Sequence, residues 1–66
     1  MKNRLKIARA ELDITQEELA RRIGVSRQTI NAVESGKYVP STLLALKMAQ
    51  VLGNRVEEIF RLEEED

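Results

Sequence analysis

Apolar residues recur along this 66-residue chain at helical spacing, with little of the strict alternation that marks a half-buried strand. Leu5, Ala8 and Leu12, with Ile7, predict a first helix ending near Asp13. Leu19, Ala20 and Ile23 form the apolar face of a second. Thr15-Gln16-Glu17-Glu18 at its start has the form of a capping box, in which the Thr15 hydroxyl accepts from the third helical N–H and Glu18 reaches back. Gly24 ends that helix, because glycine takes the left-handed conformation without a Cβ clash. Val25 and Ser26 follow, and Ser26 is a suitable N-cap for a third helix that begins at Arg27. Ile30 and Val33, with Ala32 beside them, form its inner stripe, and Gly36 ends it.

After a turn through Tyr38-Val39-Pro40, Ser41 caps a fourth helix over Thr42 to Leu52, the most apolar segment of the chain. Gly53-Asn54 closes it, and Val56 to Phe60 predicts a short fifth helix. Leu5 with its flanks and Phe60-Arg61-Leu62 can also form short extended segments that pair and tie the two ends together. The expected architecture is therefore all-α, one compact five-helix domain over residues 1–66, with a short two-stranded pairing of its ends.

The third helix has an unusual outer face. Arg27, Gln28 and Asn31 point away from the Ile30/Val33 stripe, where glutamate or lysine would give solubility just as well. Each can present planar, directional hydrogen-bonding groups. The helix they occupy is the second of a close pair, Gln16–Ile23 and Arg27–Ser35, joined by Gly24-Val25-Ser26. That spacing is the helix-turn-helix signature, here over residues 16–35. A small residue at Ala20 lets the helices cross closely, and Val25, Ile30 and Val33 hold the second onto the first. The first turns of the second helix are then free to enter the major groove of double-stranded DNA. Arginine can bind guanine O6 and N7 in bidentate fashion, and glutamine or asparagine adenine N6 and N7. Each good pair discriminates by about 1–3 kcal/mol.

Composition narrows the alternatives. The chain has no cysteine and no histidine, which removes disulfides, thiol chemistry, Cys/His zinc sites and the commonest general base. No metal site or cofactor is expected. The adjacent carboxylates Glu17-Glu18 and Glu57-Glu58 point about 100° apart on a helix and form no convergent acid–base pair, so an enzyme is not expected. No segment approaches the ~20 apolar residues of a membrane span, and the expected location is the cytoplasm. The net charge is zero but unevenly distributed: residues 1–40 carry eight Lys/Arg and five Asp/Glu, and residues 41–66 carry three and six. The basic half contains the helix pair.

The segment "TQEELARRIGVSRQTINAVESGKYVPS" resembles the lambda-repressor-like, or xenobiotic-response-element (XRE), family of helix-turn-helix regulators. The likeness extends from "LKIARAELDIT" through "LALKMAQVLG" to "VEEIF", and is strongest to minimal stand-alone members. It implies that Arg27, Gln28 and Asn31 read bases and that Gln16 holds a DNA phosphate. It further implies contact of Ala32 and Thr29, beside them, with sugar, phosphate or a thymine methyl. Backbone contacts are implied for Thr15, Ser26 and Thr29, and for Ser35, Lys37 and Tyr38 in the following loop. Arg9 and Glu34 match a family ion pair that joins the first helix to the third. The sequence departs from the family where Val39 replaces a frequent asparagine, and where Leu43 stands in place of a polar residue.

One reading helix covers too few base pairs for useful specificity, so a homodimer on a palindromic site is expected. Val56, Ile59, Phe60 and Leu62 are the candidate interface residues. The expected function is that of a dimeric repressor that excludes polymerase from an operator. With no room for a ligand-binding domain, no small-molecule effector is expected. An antitoxin-like or adaptor module with secondary DNA binding is the alternative.

Overall fold

The computed structural model describes all of residues 1–66. In chain order the elements are β1 (Lys2–Asn3), α1 (Leu5–Glu11), α2 (Gln16–Ile23), α3 (Arg27–Glu34), α4 (Thr42–Leu52), α5 (Val56–Ile59) and β2 (Phe60–Arg61). The five helices and the antiparallel pairing of the ends agree with the expected architecture. The pairing is displaced from the expected position at one end. Lys2 pairs with Arg61 and Asn3 with Phe60, whereas Leu5 opens α1 and is fully buried. Asn3 makes this switch possible: its Oδ1 accepts from the Leu5 N–H, and its Nδ2 donates to the Val33 carbonyl at the end of α3. Phe60 lies in β2 and not in the fifth helix, since its φ of −117° and ψ of 137° are extended.

Hydroxyl caps start the three central helices. Thr15, Ser26 and Ser41 each accept from the backbone N–H three residues on. Only half of the capping box at Thr15 forms. Glu18 does not reach back, because Arg21 and Arg22, three and four residues on, hold its carboxylate at 2.5 and 2.7 Å. Two guanidinium groups draw its pKa from 4.5 down to about 2, chiefly through the Arg21 hydrogen bonds and then that of Arg22.

Thirteen apolar residues form one core, drawn from every helix and from β2. Leu5, Leu19, Ile30, Val33, Met48 and Ile59 are its most deeply buried large side chains. The predicted stripe of α1 is narrower than expected. Leu5 and Ala8 face inward, whereas Ile7 is 50% and Leu12 44% exposed. The helix has only seven residues, and the chain turns sharply at Asp13 (φ 55°), so the stripe does not continue through Leu12.

The core also accounts for part of the set expected at a dimer face. Ile59 is 1% exposed and Phe60 is buried, both packed within their own chain. Ile59 therefore offers no surface to a second copy. Val56 is half-buried against the core, and Leu62 is 82% exposed.

Candidate nucleic-acid interface

The turn between α2 and α3 is closed by one acceptor. The Ala20 carbonyl takes hydrogen bonds from both the Gly24 and the Val25 N–H, at 2.9 and 3.0 Å. Gly24 stands at φ 76°, a conformation that favours glycine. Ala20 is buried at the crossing, and Ile30 and Val33 lie fully in the core. Burying a side chain of this size stabilises by about 1.5–3 kcal/mol, enough to fix which way α3 faces.

With its inner face held, α3 exposes Arg27, Gln28 and Asn31, and these three line one shallow notch. The hydrogen bonds at this end of the helix belong to Ser26 and Thr29, whose hydroxyls also lie 3.0 Å apart. The Arg27, Gln28 and Asn31 side chains are left without a partner inside the chain. Sequence reasoning placed them on one face, and the structure brings them together there.

The loop that follows is built from the C-terminus of α3. The Lys37 and Tyr38 N–H groups both donate to the Ala32 carbonyl, as does the Ser35 hydroxyl. Ser35, Lys37 and Tyr38 are all exposed on this turn. Tyr38 also borders a groove with Thr29, Ser41, Leu43 and Lys47, so the loop, α3 and the start of α4 share one surface. Leu43 is exposed at the rim of this groove and stays outside the core.

A polar network ties three helices together. Arg9 of α1 donates from Nε to Glu34 Oε2 at 2.7 Å and from Nη2 to Oε1 at 3.3 Å. Its Nη1 donates to the Ile14 carbonyl at 2.8 Å, in the connection before α2. The Arg9 and Glu34 side chains are only 15% and 8% exposed, so this is a largely desolvated pair.

Sequence reasoning did not foresee the third member. Gln16, the first residue of α2, donates from Nε2 to Glu34 Oε1 at 3.0 Å. Both Glu34 oxygens are thus engaged. No local pattern signals this bond, since Gln16 and Glu34 lie 18 residues apart on different helices. The N-terminal amine was missed as well: it bonds Asp66 at 3.1 Å and Glu63 at 3.2 Å, and clamps the paired ends. Those partners raise its pKa above 8.0, Asp66 contributing most.

The chain resembles known regulators over its whole length. Residues 5–59 match the family model described as Helix-turn-helix. An HTH-type transcriptional regulator of Methanocaldococcus jannaschii is 53% identical over 66 residues, covering all of both chains. The HTH-type transcriptional regulator YgzD of Bacillus subtilis is 48% identical with the same full coverage. Among solved structures, the restriction-modification controller protein C.AhdI from Aeromonas hydrophila superposes with a TM-score of 0.78 at 32% identity, over 85% of each chain. No helix is long and apolar enough to cross a membrane. The capped helix pair, its outward polar face and these relatives lead to one conclusion: the chain belongs to the XRE-type helix-turn-helix family of DNA-binding transcriptional regulators.

Proposed function

We propose that this regulator is a homodimeric repressor that reads a palindromic operator through the major groove. Arg27, Gln28 and Asn31 are its base-reading residues. Thr15, Gln16, Ser26, Thr29, Ser35, Lys37 and Tyr38 hold the sugar–phosphate backbone and set the register, a role that carries no sequence information itself. Arg9 and Glu34 are structural. The observation that carries this reading is the convergence of Arg27, Gln28 and Asn31 on one notch at the exposed N-terminal end of α3. That is the end of a recognition helix that meets base edges.

Geometry and the apolar surface left outside the core support dimerisation. Two reading helices on a palindrome lie about 34 Å apart, one turn of DNA. The molecule measures 32 × 21 × 19 Å, so two copies side by side span that distance. Val56 and Phe60 line an open apolar groove with Val39, Ala45 and Leu46, and Leu62 is exposed just beyond β2. This groove is the proposed seat of the second copy. Repression by occupancy needs nothing more than the bound dimer lying across the sites that polymerase uses.

Selection of binding sites from random double-stranded DNA tests the proposal. The expected result is an enriched palindrome with half-site centres about one helical turn apart. A pool without any enriched palindrome contradicts it.

A further inference from the structure

The Arg9–Glu34 pair does more than join two helices. Glu34 Oε1 is shared between Arg9 Nη2 and Gln16 Nε2, so the carboxylate anchored by Arg9 also holds the first side chain of α2. Gln16 is half-buried, and its amide has one Nε2 proton directed at Glu34. The chain has three glutamines, at 16, 28 and 50; the other two are exposed and make no comparable bond. We infer that Glu34 is a positioning residue for DNA binding: it fixes the Gln16 amide so that its second Nε2 proton is presented to a backbone phosphate. The inference rests on the phosphate role of Gln16 proposed above and adds what makes that role effective.

The physical reason is preorganisation. A free glutamine side chain loses rotamer freedom when it is immobilised on a ligand, and that loss weakens binding. Gln16 is already immobilised in the unbound protein, so that loss is incurred on folding and not on binding. Charge makes the arrangement workable. An unpaired carboxylate beside a phosphate would repel it, but Arg9 donates to both Glu34 oxygens and neutralises it. Neither Arg9 nor Glu34 touches DNA in this account; both act through Gln16.

The test compares three proteins on a selected operator: wild type, Gln16→Ala, and the double variant Arg9→Met with Glu34→Leu. Replacing both partners with apolar residues avoids a buried unpaired charge and is tolerated in other proteins. The readout is phosphate-ethylation interference, alongside thermal unfolding. In wild type, ethylating one phosphate in each half-site weakens binding. In Gln16→Ala that phosphate becomes indifferent, and affinity falls about tenfold, as for loss of one hydrogen bond to a charged group. The double variant is expected to show a weakened or absent signal at the same phosphate and unchanged signals elsewhere.

A double variant with the full wild-type pattern overturns the positioning role while leaving the Gln16 contact intact. A Gln16→Ala variant with the full pattern overturns the contact itself, and the inference with it. A second measurement needs no variant. In the free wild-type protein, the side-chain amide of Gln16 should show a higher nuclear magnetic resonance order parameter than those of Gln28 and Gln50. Equal order parameters for the three also overturn the inference.

Discussion

The outer face of α3 and the network behind it are built from similar residue types and treat them in opposite ways. Arg27, Gln28 and Asn31 lie exposed around one notch with no partner inside the chain. Arg9 and Gln16 both bond Glu34, with the Arg9 and Glu34 side chains largely removed from water. An arginine and a glutamine occur in both places. What separates them is the neighbouring carboxylate, which takes up donors of Arg9 and one Nε2 proton of Gln16 and leaves those of Arg27 and Gln28 unengaged. The difference teaches that residue type alone does not mark a base-reading surface: the donors must also remain free of partners within the chain.

This contrast can be broken from either side. The largest effect is expected from removing one member of the network. Glu34→Ala leaves Arg9 buried and unpaired, and should lower stability by about 3–5 kcal/mol in urea unfolding. A loss under 1 kcal/mol would show that the pair is solvated and that the two regions do not differ. Next comes Ile30→Ala, which should cost about 2–5 kcal/mol and loosen α3 while leaving its outer residues chemically intact. DNA affinity and thermal stability should therefore fall together, whereas an unchanged melting temperature would contradict the proposed anchoring.

Changes to exposed polar residues outside the network should leave the fold alone. Lys37→Ala is expected to weaken all sequences alike and to make the plot of log affinity against log salt shallower by about one. An unchanged slope would remove Lys37 from the backbone contacts. The smallest effect concerns acid. Glu18 has its pKa lowered from 4.5 to about 2, chiefly by the Arg21 hydrogen bonds. The unfolded chain binds a proton there first, so the contribution of this cluster is complete above about pH 4.5 and is lost as pH falls through about 2. The melting temperatures of wild type and Glu18→Gln should differ most near neutrality and converge in acid. A gap as large at pH 2 as at neutrality would assign it to another group.

Much of the fold was legible in the chain because its helix boundaries are set by local chemistry. Thr15, Ser26 and Ser41 cap where hydroxyl residues precede apolar periodicity, and Gly24 and Gly53 adopt positive φ where the helices end. The misreadings all involve competition that a local pattern does not show. Glu18 faced a choice between a backbone N–H and two arginines, and the arginines won. Leu12 continued a helical stripe on paper, but the turn at Asp13 took it outside the core. The strand at the N-terminus depends on Asn3 meeting Val33, thirty residues away, and on Arg4 N–H meeting the Ile59 carbonyl. Ile59 looked available to a partner because its burial depends on how α5 packs against α4 and β2.

The proposed reading face was legible for a similar reason, since a fixed apolar stripe leaves one direction for Arg27, Gln28 and Asn31. The bond from Gln16 to Glu34 was not, because it joins the starts and ends of different helices.

The most direct test of the contrast is the affinity of wild type and Gln28→Ala for a selected operator and for random DNA at the same salt concentration. The account predicts a loss of about 1–3 kcal/mol on the operator, relaxed preference at one base pair, and no change on random DNA. An equal loss on both DNAs would contradict it, because Gln28 would then be gripping the backbone and not reading a base.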